Sequence, residues 1–270
     1  MYSSHAVEPA PIGVLDSGVG GLSVLRALRA RMPEESFIYV SDGANAPYGD
    51  KSSEFILERT RQIAGFLLRR GAKSLVLACN TASVVSAQRL RSLHTLPIIA
   101  MEPAIKPAAQ ITKTKAVLVL ATTNTIRSES VTRLCDTYAQ DVRVILQACP
   151  GLADQVELGR INHESTYALL ENYLRPGLTA GADVIVLGCT HYAFLMESIA
   201  RISGPSVTII EPSVAIARQL HRVLPASIGS VCKPVVTEFY STGSLESLSC
   251  FLAAVGESYE HVNRFPSSEA

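Results

Sequence analysis

Short apolar, largely β-branched runs recur along the chain at Ile12–Asp16, Phe37–Ser41, Ser74–Ala78, Pro97–Met101, Ala116–Leu120, Val142–Gln147, Val184–Gly188 and Val207–Ile210. They show little polar alternation, which is the pattern of strands covered on both faces. Between them lie segments with apolar positions at helical spacing: Leu22–Arg31, Glu54–Arg70, Ala82–Leu93, Arg127–Ala139, His163–Leu174 and Ser213–Val223. The alternation predicts an α/β protein assembled from βαβ units, with parallel sheets. Glu238–Ser241 adds one more strand and Leu245–Val255 one more helix, before a polar tail containing Ser267, Ser268 and Glu269.

Two internal echoes divide the pattern. Gly71-Ala72-Lys73-Ser74-Leu75-Val76-Leu77-Ala78-Cys79 aligns without a gap on Gly181-Ala182-Asp183-Val184-Ile185-Val186-Leu187-Gly188-Cys189, at an offset of 110 residues. Glu102-Pro103, after Ile98-Ile99, is repeated as Glu211-Pro212, after Ile209-Ile210, at an offset of 109. Two echoes at nearly one offset predict two similar α/β halves. Each half then carries a cysteine just past the C-terminal end of a strand, where open parallel sheets place their ligands. If the halves face one another, the two cysteines approach one cleft from opposite sides.

Composition narrows the classes. At roughly 150 residues per domain, 270 residues suggest about two domains, and 47% hydrophobic with 18% charged residues is enough to build a core. Lys plus Arg and Asp plus Glu are equal at 24 each, so no overall positive field draws the chain to nucleic acid or an anionic membrane. The clusters Arg26/Arg29/Arg31, Arg69/Arg70 and Arg89/Arg91 read as solvated helix faces. Met1–Pro11 has neither a basic nor an apolar leader region, and Ala116–Ala121 is far short of a membrane span, which predicts a soluble, cytoplasmic protein. The six cysteines, at 79, 135, 149, 189, 232 and 250, have no C-x-x-C spacing, so neither a disulfide framework nor a sulfur-rich metal site is expected.

Cys79 opens Cys79-Asn80-Thr81-Ala82 and Cys189 opens Cys189-Thr190-His191-Tyr192, each between a strand and a helix. A helix N-terminus favours thiolate over thiol, so a depressed thiol pKa is expected there. Asn80, Thr81 and Thr190 can bind the carboxylate or amino group of a small polar ligand. Cys135, Cys149, Cys232 and Cys250 lack this setting and read as packing groups. His191 can relay a proton or, with Cys189, ligate Zn²⁺, but no further ligands stand at suitable spacing; it can also simply cap a helix. Glu157 is a candidate partner for His191, or a solvated carboxylate near a helix end. Asp16-Ser17-Gly18-Val19-Gly20-Gly21 resembles a dinucleotide-binding turn, with Asp42 in the place of the ribose acid. Ser23 stands where that fingerprint needs glycine, and a tight turn capped by Asp16 explains the loop as well. A nucleotide-dependent oxidoreductase and a non-catalytic solute-binding protein therefore stay open at this point; both leave the paired cysteines unexplained.

Gly13-Val14-Leu15-Asp16-Ser17-Gly18-Val19-Gly20-Gly21-Leu22, Pro47-Tyr48-Gly49, Ala78-Cys79-Asn80-Thr81-Ala82 and Gly188-Cys189-Thr190-His191-Tyr192 together resemble the signature blocks of the bacterial glutamate racemases. The resemblance extends to Ile209-Ile210-Glu211-Pro212 and Phe239-Tyr240-Ser241-Thr242-Gly243. It implies two α/β domains related by a pseudo-two-fold axis, 1–102 with 211–270 and 103–210, and an active site in the cleft between them. It implies a cofactor-independent racemase of glutamate, or of aspartate or another small acid, serving peptidoglycan synthesis, with a homodimer possible. Cys79 would deprotonate D-glutamate with Asp16 assisting, and Cys189 L-glutamate with Glu157 and His191 assisting. The implied substrate contacts are Asp16, Ser17, Tyr48, Gly49, Asn80, Thr81, Thr122, Thr125, Thr190 and His191. The chain departs from the family pattern at Asn124, usually glycine, at Ala193, usually proline, and over Cys149–Asp154.

Overall fold

The computed structural model describes residues 10–224 and 235–266; Cys232 and the tail residues Ser267, Ser268 and Glu269 lie outside the described residues. In chain order the elements are β1 (Ile12–Asp16), α1 (Leu22–Arg31), β2 (Phe37–Ser41), α2 (Ser53–Arg69), β3 (Ser74–Leu77), α3 (Asn80–Leu93), β4 (Ile98–Ala100) and α4 (Ile105–Ile111). Then follow β5 (Ala116–Ala121), α5 (Thr123–Ile126), α6 (Glu129–Tyr138), β6 (Arg143–Ala148), α7 (Leu152–Glu157), α8 (Glu164–Thr179) and β7 (Val184–Gly188). A 3-10 turn at Thr190–Leu195 leads into α9 (Met196–Ser203), β8 (Thr208–Ile210), α10 (Ser213–Val223), β9 (Thr237–Ser241), α11 (Leu245–Ala254) and β10 (Val262–Arg264).

Among the described residues every strand pairing is parallel, in a six-stranded sheet ordered β10-β9-β2-β1-β3-β4 and a four-stranded sheet ordered β6-β5-β7-β8. The order β2-β1-β3-β4 of the first sheet recurs as β6-β5-β7-β8 in the second, so the sequence echo lies on equivalent strands, β3 and β7. After β8 the chain returns to the first sheet to add β9 and β10.

Alternate residues of each central strand enter different cores, as the two-residue period of a strand requires. Ile12, Val14, Val76, Leu118, Leu120, Ile185 and Leu187 join one apolar cluster that runs from one sheet to the other. Leu15, Leu75 and Leu77 face a second cluster under α2 and α3, and Val117, Val119, Val184 and Val186 a third under α4 and α6. Not every strand is covered on both faces: β6 and β8 keep residues partly exposed, and each is an edge of the smaller sheet.

Several expectations change. Helices α4, α7 and α9, with 7, 6 and 8 residues, are too short to show a period in a window of 11–18 residues, and polar β10 has only three. Helix α8 runs through Pro176, where the spacing predicted an end at Leu174, and Gly177 then lets it lie directly on β5. The arginine clusters are not merely solvated. Arg26 and Arg29 both pair with Glu257 at 2.8 and 3.0 Å, Arg70 pairs with Glu238 at 2.7 Å, and Arg91 donates to the Ile98 carbonyl. Cys149 is buried as expected, whereas Cys135 is half-buried and Cys250 is exposed on α11, so the latter does not serve the core.

A Cβ on Gly177 would lie 2.7–2.8 Å from the side chain of Leu118. Gly177→Ala should therefore destabilise the protein by about 1–3 kcal/mol in urea unfolding, overpacking outweighing the better helix propensity of alanine. Gly65→Ala in α2, whose Cβ would meet only the Arg69 guanidinium at 3.3 Å, should be neutral or stabilising by up to about 1 kcal/mol in the same assay.

Candidate functional site

Four central strands end at one place. Asp16 closes β1, Cys79 follows β3, Thr122 follows β5 and Cys189 follows β7. Asp16, Ser17, Asn80, Thr81, Thr125, Thr190 and His191 are almost wholly buried, as are Cys79 and Cys189 at 6% and 7% exposure. Titratable groups in such a place feel one another strongly, because little water screens them.

On the first sheet, Cys79 is the N-cap of α3 and its sulfur accepts from the Ala82 N–H at 3.4 Å. The helix terminus does not lower the thiol pKa as the sequence suggested. Burial and the neighbouring Asp16 carboxylate outweigh the Ser17 and Ala82 donors, and the thiol is pushed up to about 11. Asp16 accepts from the N–H groups of Gly18 and Gly21 at 3.1 and 2.9 Å through Oδ2, so it does cap the glycine turn, while Oδ1 is buried with no partner among the described residues. Burial raises its pKa, against the opposing pull of His191 and the Gly21 N–H. Tyr39, hidden in a strand that the sequence reads only as core, reaches the same oxygen at 3.3 Å and the Gly18 carbonyl at 2.9 Å.

On the second sheet, the turn after the cysteine has a different geometry. Cys189 caps a 3-10 turn rather than an α-helix and makes no capping bond; its sulfur lies 3.7 Å from His191 Nδ1. The other ring nitrogen, Nε2, meets Glu157 Oε1 at 2.5 Å. Burial alone would lower the His191 pKa, but the Cys189 sulfur and the Glu157 carboxylate hold it well above its usual value. Glu157 would be raised by burial, yet His191 and the Val19 N–H hold it below the usual carboxylate range. Of the two readings of Glu157, partner of His191 or solvated carboxylate, the structure has the first. It places α7, the element the sequence did not suggest, where it delivers Glu157 into the cleft.

The remaining sequence candidates separate into two groups. Thr81, Thr122 and Thr125 link their hydroxyls across the cleft, with Thr81 to Thr122 at 2.8 Å and Thr122 to Thr125 at 3.0 Å. Among the described residues, both polar side-chain atoms of Asn80, and Thr190 Oγ1, are buried without partners. Tyr48 is engaged elsewhere: its hydroxyl donates to Asp42 at 2.6 Å. Gly49 packs against Thr122, and the Gly49 carbonyl accepts from the Asn124 N–H. Asn124 also donates from its side chain to the carbonyls of Tyr48 and Lys51, at 3.3 and 2.8 Å, so the departure from glycine there ties the two sheets together.

The glycine turn is not a nucleotide cradle. A Cβ on Gly18 would fall 1.8 Å from Glu157 Oε1, and one on Gly20 would fall 2.5 Å from His191 Nδ1. The space above the turn belongs to the second sheet's side chains. Asp42, the supposed ribose acid, is held by Arg59 at 2.8 Å and by Tyr48 and Thr242. Those donors pull its pKa down despite its burial. Sequence reasoning missed Tyr39, Arg59, Thr242 and the Val19 N–H; none has a local signal, since each works through a residue far away in the chain.

A family model described as Asp/Glu/Hydantoin racemase matches residues 22–220. The chain is 46% identical over 264 residues to the glutamate racemase of Pseudomonas paraeruginosa, covering 96% of this chain and 98% of that one. Its fold is similar to that of Escherichia coli glutamate racemase in complex with L-glutamate and the activator UDP-MurNAc-ala, with a TM-score of 0.84, 29% identity, and 95% and 98% of the two chains covered. It is also similar to glutamate racemase isoform RacE1 from Bacillus anthracis, with a TM-score of 0.83, 30% identity, and 96% and 98% covered.

The His191–Glu157 pair should show in stability. A raised histidine contributes fully below its unfolded value near 6.5 and less as pH rises through its folded value; a lowered carboxylate contributes above about 4.5 and less as pH falls. Glu157→Gln should therefore lower the melting temperature most between about pH 4.5 and 6.5, by a few degrees for a loss of about 1–2 kcal/mol, with the difference narrowing as pH rises further. A difference that widened with alkaline pH would contradict this assignment.

Proposed function

Because the chain belongs to the Asp/Glu/hydantoin racemase family, among its glutamate racemases, we propose that it interconverts L- and D-glutamate with one thiol on each face of the α-carbon. The observation that carries this reading is the pair of buried cysteines at equivalent strand ends, each backed by its own acid–base group.

In the D to L direction, the Cys79 thiolate takes the α-proton, the Cα–H electron pair remains on carbon as an enolate-like anion, and the Cys189 thiol returns a proton to the opposite face. The L to D direction exchanges the two roles. Asp16, with its raised pKa and free Oδ1, takes up or hands on the Cys79 proton. The His191–Glu157 pair does the same behind Cys189. A thiol as high as that of Cys79 needs positive charge to ionise, and the α-ammonium group of a bound amino acid supplies it. The unpartnered atoms of Asn80 and Thr190 are suited to the substrate's carboxylate and ammonium groups. Burial keeps water from competing for the anion. No step requires a cofactor.

The two units that close on the substrate are, in this reading, 1–102 with 211–270 and 103–210, and the product is D-glutamate for peptidoglycan synthesis in the cytoplasm. A strain deleted for the protein and lacking another source of D-glutamate should grow only when D-glutamate is supplied; normal growth without it would remove the cell-wall role.

Single-thiol variants test the division of labour. Purified protein should racemise glutamate, and aspartate far more slowly, in buffer alone. Cys79→Ser and Cys189→Ser should each lose racemisation by 10³-fold or more, on the order expected when a positioned base is removed. A glutamate analogue with chloride on the β-carbon needs only proton abstraction: chloride departs with the Cβ–Cl electron pair, and the enamine hydrolyses to the oxo acid and ammonia. Cys79→Ser should keep this elimination from the L form and lose it from the D form, and Cys189→Ser the reverse. Loss from both forms in folded protein, or racemisation persisting in either variant, would rule out one thiol per face.

A further inference from the structure

The glycine turn after β1 is more than a surface that makes room. Val19, in the first sheet's loop, donates its backbone N–H to Glu157 Oε1 at 2.9 Å, and Glu157 uses the same oxygen to hold His191. The acid–base group behind Cys189 is therefore not completed by its own sheet. The group behind Cys79 is: Asp16 is held by Gly18, Gly21 and Tyr39, and Cys79 by Ala82, all from the first sheet's part of the chain.

The site must open to admit a ligand. Both cysteines are buried, at 6% and 7% exposure, so a bound amino acid reaches neither sulfur without movement of the groups over them. Parting the two sheets far enough to admit an amino acid breaks the Val19–Glu157 bond and leaves Asp16 and its partners intact. Gly18 is the residue that permits the contact. A side chain there would occupy the position of the Glu157 carboxylate, at 1.8 Å. Its φ lies outside the left-handed region, so alanine meets no backbone strain there, only Glu157.

We propose that Val19 N–H, given access by Gly18, is a positioning group for the Cys189 face alone: closure of the cleft assembles the Glu157–His191–Cys189 chain, whereas the Cys79 face is assembled whether the cleft is open or shut. The proposal rests on the two-thiol reading. It makes proton abstraction from the L enantiomer dependent on closure in a way that abstraction from the D enantiomer is not.

Overall racemisation cannot test this, because both thiols act in each direction. Elimination from the β-chloro analogue separates the faces. Gly18→Ala should slow elimination from the L form about tenfold or more, the size expected for loss of one hydrogen bond to a charged group, and slow that from the D form by less, since Gly18 also holds Asp16 through an N–H that alanine keeps. A second variant avoids any change in packing: an ester in place of the amide at Val19 deletes the single N–H and should show the same selective loss. The D-form rate in each variant reports on folding and on any weakening of the bond from Tyr39 to the Gly18 carbonyl. Equal losses for both forms in the ester variant, or an unchanged L-form rate, would overturn the proposal. Cys189→Ser in the same assay monitors the reading beneath it: if that variant still eliminates from the L form, the two-thiol reading falls and this proposal falls with it.

Discussion

At the centre of this molecule the glycine turn after β1 lies directly against the side chains of Glu157 and His191. Gly18 and Gly20, at the end of β1, lie so close to Glu157 and His191 that a single added carbon at either would occupy the space of a ring or carboxylate atom. Close approach of this kind fixes the separation of the two sheets from the inside. It brings the ends of β1 and β3 against those of β5 and β7, shuts out water, and makes every charge in the cleft depend on a partner from the protein. The hydroxyl links from Thr81 to Thr122 and the Asn124 bonds to Tyr48 and Lys51 hold the same separation at the rim.

Dry surroundings then decide the electrostatics, and they decide them differently on the two sides. Cys79 and Asp16 stand together, and burial raises both, although His191 pulls Asp16 the other way. His191 and Glu157 form a pair, and each stabilises the charged form of the other against the same burial. One duplicated strand–cysteine unit thus carries two kinds of acid–base group. The difference begins with local sequence: Asn80 and Thr81 continue from Cys79 into an α-helix, whereas Thr190 and His191 continue from Cys189 into a 3-10 turn that swings the imidazole beneath the sulfur. The proposed reaction tolerates that asymmetry, since it needs a base and an acid on opposite sides rather than identical ones.

Much of this was legible in the chain itself. Strands β1, β2 and β7 and helices α1 and α10 have the bounds their patterns predict, because apolar periodicity reports burial directly. The two cysteines and their strand-end setting follow from the repeat, since copying a βαβ unit copies the position of its ligand-facing turn. Residue type after a buried strand made Asn80, Thr190 and His191 site candidates, while Asp16 and His191 kept a capping reading beside the functional one.

What the chain could not show was anything carried by a contact between distant segments. The helix bearing Glu157 is six residues long and has no readable period, yet packing sets it where its carboxylate reaches His191 and Val19. Asp42 looks like a ribose acid in sequence and is a buried ion pair with Arg59 in space. A helix N-terminus argues for a lowered Cys79 pKa, and burial beside Asp16 reverses the sign. The sequence by itself determined the elements, the duplication and the residue types at the strand ends, since these are local or periodic properties. Only the tertiary structure decided which carboxylate pairs with which cation and which groups are dry, because pairing and desolvation depend on distances across the cleft that no spacing along the chain encodes.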